Sequence, residues 1–180
     1  LHTRRQHRQP RTRSSGGGKI VGMVNIAERP AEAADRAVPG HWEGDLICGS
    51  KNSYIATVVE RQSRFTLLVK IDGKKTDRVV PALAGQMAKL PERLKQSLTW
   101  DRGTELASHQ KFTVATDIDV YFCDPSSPWQ RGTNENTNGL LRQYFPKGSC
   151  LSGYSQQDLN KVANHLNNRP RKTLVFLTPA

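Results

Sequence analysis

Three acidic residues stand where acids are unusual, and together they could hold metal ions. Asp45 and Asp101 lie in or at the end of apolar, strand-like segments, although Asp is depleted in strand interiors. Glu135 falls in the first turn of a predicted helix, after a turn that contains two prolines. Close carboxylates repel each other unless a positive charge lies between them. Because Mg²⁺ prefers carboxylate oxygens and retains phosphates in its shell, the set predicts a two-metal site for phosphoryl transfer.

Each acid also has an ordinary structural explanation when it is taken alone. Asp45 could end a strand in a salt bridge, Asp101 precedes a turn, and Glu135 would interact favourably with a helix dipole. Glu43 shares a strand face with Asp45 and is an alternative ligand. A structural role beside the site is the other interpretation of Glu43. His41 is expected to lie beside the site and not to bind the metal. The order of the three acids along the chain favours the metal site.

The elements that must position these acids follow from hydrophobic periodicity and turn residues. Alternation and turn signals predict strands over 41–48, 54–59, 65–70, 97–101 and 120–123. Helical spacing predicts helices over 76–90, 108–116, 134–144 and 156–168. Thr76 is expected as the N-cap of the first of these helices, and Ser155 with Asp158 as a capping box for the last.

This order of elements predicts an α/β fold with a mixed sheet covered by helices on both faces. The first three strands form an antiparallel meander. A strand that follows a crossover helix can run parallel to its neighbour at the centre of the sheet. Asp45 and Asp101 are therefore expected side by side on adjacent strands. In extended form Glu43 and Asp45 point to one face, and Trp42 and Gly44 to the other.

The charge of the chain favours a polyanionic partner. The 180 residues include 27 Lys and Arg against 16 Asp and Glu, a net charge of +11, which favours phosphate contacts with release of counterions. Residues 1–30 hold seven Lys or Arg and one Glu, a net of +6. We expect a basic flexible arm or linker over 1–24 and one catalytic core over 25–180. The arm could order on phosphates or connect to an upstream domain, and both remain open.

Cysteine usage and hydropathy predict a cytoplasmic protein. The three cysteines, Cys48, Cys123 and Cys150, are odd in number and widely spaced, which argues against a disulfide framework and for a reducing compartment. No apolar run approaches the roughly 18 residues of a membrane span, and no signal peptide is visible. No membrane partner is expected.

Polar residues around Glu135 are candidates for contact with nucleic acid. They are amides and cations on or beside the predicted helix: Gln130, Arg131, Asn134, Asn138, Arg142 and Lys147. Phosphates and bases are their expected partners, while helix capping and solvation are the alternative. Trp100 and Trp129 could stack on bases, although burial in the core is the better expectation.

Three segments resemble the catalytic blocks of DDE transposases and retroviral integrases. They are Trp-Glu-Gly-Asp at 42–45, Thr-Trp-Asp-Arg-Gly-Thr-Glu at 99–105 and Ser-Pro-Trp-Gln-Arg-Gly-Thr-Asn-Glu-Asn at 127–136. The gap of 33 residues between Asp101 and Glu135 is close to the spacing in that superfamily. Segments 134–142, 145–148 and 166–172 are similar to the IS-thirty group of bacterial insertion-sequence transposases. Two positions depart from that pattern, since Ser126 replaces a bulkier residue and Val175 replaces a frequent Gly.

The resemblance implies an RNase H-like fold with a five-stranded mixed sheet. It implies that Asp45, Asp101 and Glu135 hold Mg²⁺, with two ions and with Mn²⁺ as a substitute. It further implies that water cleaves transposon ends and that the freed 3′-OH then attacks target DNA. Partners would be transposon and target DNA, a second or further copy of the chain on DNA, and an upstream helix-turn-helix domain missing from this chain. The location would be the bacterial cytoplasm, at the nucleoid.

Two other functions fit the same residues. One is an RNase H-like nuclease that has the metal site but does not join strands. The other is a non-catalytic DNA-binding module that uses the basic arm and a degenerate site. The complete set of three acids favours catalysis over the binding module, and a strand-transfer assay separates the transposase from the nuclease.

Overall fold

A five-stranded mixed sheet forms the centre of the chain in a computed structural model, which describes residues 20–180 apart from the side chain of Asp35. The strands are β1 (His41–Cys48), β2 (Tyr54–Glu60), β3 (Thr66–Ile71), β4 (Ser97–Trp100) and β5 (Asp119–Phe122). Their order across the sheet is β3-β2-β1-β4-β5. Pairs β1–β2 and β2–β3 are antiparallel, whereas β1–β4 and β4–β5 are parallel. The predicted fold class, an α/β fold with a five-stranded mixed sheet flanked by helices, is confirmed.

Helices cover both faces of this sheet, and their ends follow from local sequence. They are α1 (Glu32–Asp35), α2 (Thr76–Met87), α3 (His109–Thr116), α4 (Gly132–Leu141) and α5 (Gln156–Asn167). The predicted capping box is present at α5, where the Ser155 hydroxyl accepts from the Asp158 backbone N–H and the Asp158 carboxylate accepts from that of Ser155. Within residues 20–180, none of the helices combines the length and apolar character needed to cross a membrane.

Two hydrophobic clusters lie on opposite faces of the sheet. The first packs α2 and α3 against Trp42, Val58, Leu98 and other residues of the strands. The second packs α4 and α5 against Ile47, Ile55 and further apolar side chains. Because side chains alternate along β1, the face that carries Ile47 also carries Glu43 and Asp45. The candidate catalytic acid of β1 therefore lies on the side of the sheet that α4 covers.

Two predicted helix boundaries need correction. Thr76 is the first helical residue of α2, and the extended residue Lys75 occupies the N-cap position. The Thr76 hydroxyl accepts instead from the Ser108 backbone N–H at 2.9 Å, so it connects the start of α2 to the start of α3. Helix α4 begins at Gly132, two residues before the predicted start, and ends at Leu141. The earlier start places Glu135 in the fourth position of the helix.

Residues 20–24, which fall in the predicted arm, contact the sheet and its helices. Ile20 is buried in the cluster beneath α2 and α3, and the Phe122 backbone N–H donates to the carbonyl of Val24 at 2.9 Å. The rest of the predicted basic arm, residues 1–19, lies outside the described residues.

Candidate active site

Asp45, inside β1, and Asp101, just after β4, come together where the parallel pairing of these two strands ends. His41 pairs with Ser97 and Glu43 with Thr99 in the β1–β4 register, and the same offset of 56 residues places Asp45 opposite Asp101. Asp101 comes directly after the last residue of β4, where its carboxylate accepts from the Gly103 backbone N–H at 2.9 Å. The two acids therefore share one edge and one face of the sheet, as the sequence predicted.

The guanidinium of Arg131 lies between these two carboxylates. Its Nη1 is 3.3 Å from Oδ1 of Asp45 and its Nη2 is 3.5 Å from Oδ2 of Asp101. Nη1 also donates to the carbonyl of Gly44 at 3.0 Å. Arg131 ends a 3₁₀ turn, Pro128–Arg131, that leads directly into α4. One buried side chain thus ties both strand ends to the start of α4.

The protonation equilibria reflect this placement. Burial raises the pKa of Asp45 above its usual range, against the opposing effects of Arg131 and of a backbone hydrogen bond, while the charge of Asp101 raises it further. Burial works to lower the pKa of Arg131, but Asp45 and Asp101 outweigh it, so that pKa lies above its ordinary value. The pair of carboxylates therefore requires a positive charge beside it.

Helix α4 presents two further polar side chains on the side of the acids. The Asn138 amide donates to Oδ2 of Asp45 at 3.1 Å, while its Oδ1 is buried without a partner among residues 20–180. Glu135, one turn earlier, is exposed and forms no ion pair within the described part of the chain. Within those residues, no group of three His, Cys, Asp or Glu side chains is arranged to hold a metal ion.

Glu43 and Asn134 anchor the first turn of α4 to the sheet. Glu43 is 1% exposed, accepts from the Asn134 backbone N–H at 2.9 Å and pairs with Arg61 at 3.5 Å. The Asn134 amide donates to the carbonyls of Glu43 and Thr57, at 2.8 and 3.1 Å. A buried carboxylate at a helix N-terminus is favourable because the helix dipole is positive there. Glu43 is thus committed to holding α4 in place and is not a candidate ligand.

A short loop closes the site beside Asp101. Gln130 and Asp124 form a reciprocal pair, with hydrogen bonds of 2.8 and 2.9 Å between the Gln130 amide and the Asp124 backbone and carboxylate. Asp124 also accepts from Asn25 at 3.0 Å and lies 3.8 Å from Arg102. The loop and the end of β4 enclose a cavity of about 280 Å³, which opens onto the Asp101 carboxylate.

The six residues predicted to contact DNA have different environments in the structure. Asn134 is fully buried and its amide is used by the strands, so its predicted role as a DNA contact is corrected to an anchor. Arg131 is buried against the acids and Gln130 is bonded within the loop. Arg142 donates to the Phe145 carbonyl at 3.3 Å, and Lys147 is exposed. Asn138 donates a hydrogen bond to Asp45 and therefore lies at the candidate site itself.

The two tryptophans have different environments. Trp100 is fully buried, and a Cβ added at Gly44 would lie 2.1 Å from its ring, so the indole fills the space that the glycine leaves. Stacking on bases is excluded for Trp100 in this arrangement. Trp129 is 73% exposed, in the 3₁₀ turn beside Arg131.

Sequence reasoning missed two residues at the site. Arg131 was predicted to contact DNA, not to bridge the acids, because nothing in a linear pattern shows which way an arginine turns. Glu105 was quoted only as part of a motif, yet its half-buried carboxylate receives the Trp100 indole N–H at 3.4 Å. Burial raises the pKa of Glu105, and the charges of Asp101 and Asp45 act in the same direction. Its spacing of four from Asp101 was the available signal.

The donor set at the strand ends fits a divalent cation. Arg131 already supplies a positive charge between Asp45 and Asp101, and hard cations such as Mg²⁺ prefer carboxylate and amide oxygens. The buried Oδ1 of Asn138 is a further oxygen without a partner in the region described. Asp45 and Asp101 are the two carboxylates that the fold brings together for such an ion.

The fold and this pair of acids define a class of protein. The sequence profile of the family described as Integrase core domain matches residues 35–128, and the chain belongs to that family. The matched span contains Asp45 and Asp101 and ends before α4, so Glu135 lies outside it.

Curated relatives extend the similarity over nearly the whole chain. It is 55% identical over 99% of its length to "Transposase InsI for insertion sequence element IS30A" of Escherichia coli, covering 48% of that protein. It is 51% identical to "Transposase for insertion sequence element IS1086" of Cupriavidus metallidurans and 38% identical to "Transposase for insertion sequence element IS4351" of Bacteroides fragilis. Those two matches cover 99% of the chain and 53% and 56% of the relatives. The predicted resemblance to the IS-thirty group is confirmed, and the chain spans about half the length of these relatives.

Proposed function

We propose that the chain is the catalytic core of a DNA transposase that cleaves element ends and joins them to target DNA. In the first step water attacks a phosphodiester bond at the element end, which frees a 3′-OH. In the second step that 3′-OH attacks a phosphodiester of the target, and the target strand is released with its own 3′-OH. Each step breaks one P–O bond and forms another. The names of the relatives and the pair of acids beside the β1–β4 pairing support this assignment.

Asp45, Asp101 and Glu135 are the proposed ligands of two Mg²⁺ ions, with Mn²⁺ as a substitute. When bound, such ions lower the pKa of a nucleophile and stabilise the leaving oxygen in phosphoryl transfer. Asp45 and Asp101 contribute from the sheet, and Glu135 from the exposed side of α4. Asn138 orients the Asp45 carboxylate through its 3.1 Å hydrogen bond. Arg131 holds the two strand acids together when no other cation is near.

One observation carries the proposal: two acids stand opposite each other where the parallel pairing of β1 and β4 ends, with the guanidinium of Arg131 between them. A structural role alone accounts poorly for this pair, because burial raises the pKa of Asp45 and so works against the charge. An arrangement that retains unfavourable charge is typical of a functional site.

The decisive experiment measures cleavage and joining by the purified 180-residue chain with Mg²⁺. Labelled duplexes carry the borders of the DNA element that encodes the chain, and a supercoiled plasmid is the target. We expect Asp45→Asn, Asp101→Asn and Glu135→Gln each to lower the cleavage rate by about 10²-fold or more, since each removes a charge from the proposed site. Asp124→Asn is the matched control, because Asp124 lies at the same cavity but outside the ligand set.

Each alternative function has its own outcome in this assay. Cleavage without joined product would assign an RNase H-like nuclease. DNA binding without Mg²⁺-dependent cleavage would assign a non-catalytic module. If Glu135→Gln retains activity while Glu105→Gln loses it, the third ligand is Glu105 and the proposed set is wrong.

Joining requires that both ends of an element are held together, so we also propose that at least two copies of the chain act on DNA. Closed two-fold assemblies are the commonest arrangement for identical chains. Light scattering of the chain with and without end duplexes tests this. A complex that contains one copy of the chain per DNA molecule at saturation would contradict it.

A further inference from the structure

A small cationic pocket lies beside α4 and the carboxyl-terminal segment, separate from the cavity at Asp101. Its volume is about 140 Å³. Its lining combines two arginines, hydroxyls and an amide: Arg64, Arg171, Thr133, Thr137, Thr173, Asn136 and Leu140. Pockets for small molecules usually measure about 300–1,000 Å³, so this one suits a single anionic group better than a cofactor.

The positive charge of Arg64 is not neutralised by the nearby carboxylates. Among the described side chains, Glu43 and Glu60 are the acids that act on it. Both oxygens of Glu43 are occupied, one by Arg61 and the other by the backbone N–H of Asn134. Both oxygens of Glu60 are also occupied, by the backbone N–H groups of Gly40 and Ser63. Arg64 bonds the Thr133 hydroxyl instead, and no ion pair joins it to any of the described side chains, which do not include that of Asp35.

Arg171, which also lines the pocket, likewise has no described carboxylate as a partner. Its Nη2 donates to the carbonyl of Leu166 at 3.2 Å, and its Nε is buried with no partner in the described part of the chain. Burial lowers the pKa of Arg171, and the nearby charge of Arg169 lowers it further. No described carboxylate pairs with it. Two arginines thus face one small space, and no described carboxylate forms an ion pair with either.

We propose that this pocket binds one phosphate of the DNA backbone, on the opposite side of α4 from the reacting phosphodiester. Arginine presents a planar set of donors that fits phosphate oxygens, and threonine hydroxyls and amides commonly complete such contacts. Asn136 lies next to Glu135 in α4, and both are exposed with Gly139 on the outer surface of the helix. A strand that leaves the acids can cross that surface to reach Arg64 and Arg171.

The inference rests on the proposed function, because it takes the ligand to be the DNA on which the site acts. A helix with its side chains is about 10–12 Å wide, and phosphates on one strand advance about 3.4 Å each along a duplex. The contacted phosphate is therefore expected within about five nucleotides of the cleaved bond.

Binding is measured by fluorescence anisotropy with end duplexes in EDTA, so that catalysis plays no part. The Arg64→Gln/Arg171→Gln double variant should bind at least about fivefold more weakly, and the slope of log K against log salt should fall by about 1. Arg78→Gln/Arg93→Gln removes the same charge from exposed sites elsewhere and is the matched control. Circular dichroism of both double variants reports folding.

A second variant covers the case in which loss of Arg64 weakens the fold. Thr173 is exposed at the pocket, so Thr173→Asp should repel phosphate without a change in packing. Thr178→Asp, also exposed and outside the pocket lining, adds the same charge as its control. We expect weaker binding for Thr173→Asp alone.

DNA duplexes in which a single phosphate is replaced by an uncharged analogue identify the phosphate that the pocket contacts. Duplexes with one methylphosphonate at each position near the cleaved bond should identify one site where neutralisation weakens binding to the wild-type chain but not to the Arg64→Gln/Arg171→Gln variant. The pocket assignment is overturned if no position shows this coupling, or if both double variants lose affinity equally. Pocket variants that bind normally while Asp45→Asn abolishes cleavage would overturn the pocket alone. A wild-type chain that does not bind DNA would overturn both proposals.

Discussion

Nη1 of Arg131 lies 3.3 Å from Oδ1 of Asp45, so a buried side chain of the protein itself neutralises a proposed metal ligand. Arg131 also reaches the carbonyl of Gly44, which fixes the guanidinium at the end of β1. Any cation that binds Asp45 and Asp101 must share these carboxylates with Arg131 or displace it. The proposed metal would therefore compete with Arg131 for the same two carboxylates.

The first prediction concerns that competition. Arg131→Gln leaves two facing carboxylates without their cation, and we expect a loss of about 1–3 kcal/mol in the free energy of unfolding without metal. Mg²⁺ should then raise the melting temperature of the variant more than that of the wild type. Differential scanning fluorimetry with and without Mg²⁺ measures both. Arg102→Gln, which breaks a surface pair with Asp124, is the control, and equal Mg²⁺ shifts in all three proteins would contradict the idea.

The second prediction tests the packing of Gly44 against Trp100. A methyl group at Gly44 would lie 2.1 Å from the indole ring, so Gly44→Ala should lower the free energy of unfolding by about 1–3 kcal/mol. Urea denaturation followed by tryptophan fluorescence measures it. Gly85→Ala in α2 meets no atom within 4 Å and should be neutral or stabilising by about 0.5–1 kcal/mol. Similar values for the two variants would refute the packing argument.

The third prediction separates anchoring from DNA contact at Asn134. Asn134→Ala removes hydrogen bonds that join α4 to β1 and β2 and should cost about 2–3 kcal/mol of stability. Its binding to DNA should keep the wild-type salt dependence once the fraction of folded protein is taken into account. Asn164→Ala, exposed on α5, is the control for stability. A reduced salt slope for folded Asn134→Ala would restore this residue as a DNA contact.

The fourth prediction concerns pH. Burial lowers the pKa of His41 below its ordinary value of 6.5, while Glu32 opposes this and Arg29 and Arg61 add to it. The unfolded chain therefore takes up this proton more readily, so stability is complete above about pH 6.5 and decreases as the pH falls. The slope from one group is at most about 1.4 kcal/mol per pH unit.

His41→Asn should flatten that part of the profile between pH 7.5 and 5.5 in urea titrations. A His41→Asn profile as steep as that of the wild type would show that another group is responsible.

The fifth prediction follows from backbone strain near the carboxyl end. Val175 has a φ of 53°, a left-handed conformation that glycine adopts at little cost and a β-branched residue does not. Val175→Gly should therefore raise the free energy of unfolding by about 0.5–1 kcal/mol, after the greater entropy of the unfolded glycine is allowed for. Val21→Gly, exposed and without a positive φ, should not stabilise the chain. A melting temperature below that of the wild type for Val175→Gly would contradict this.

The sheet, and the placement of Asp45 and Asp101 side by side in it, could be predicted from the sequence because both depend on the alternation of side chains along strands. Alternation along 41–48 assigned the faces of β1, and the short buried segment that ends at Trp100 implied a central strand. The role of Asn134 was not predictable in this way. Whether an amide at a helix start faces solvent or strands depends on the rotation of α4 about its axis. That rotation follows from the packing of Leu141 and Phe145 against strand residues that are distant in the sequence. The orientation of the Arg131 side chain was not predictable for the same reason, since it depends on where β4 ends and places Asp101.

The anchoring of α4 has a mechanical consequence. Its hydrogen bonds run to β1 and β2, whereas its connection to the end of β4 is the ion pair of Arg131 with Asp101. A small slide of β4 along β1 would therefore change the separation of Asp101 from Glu135 and leave that of Asp45 from Glu135 unchanged. The pairing between β1 and β4, three residue pairs long, therefore determines where Asp101 stands relative to Asp45 and α4.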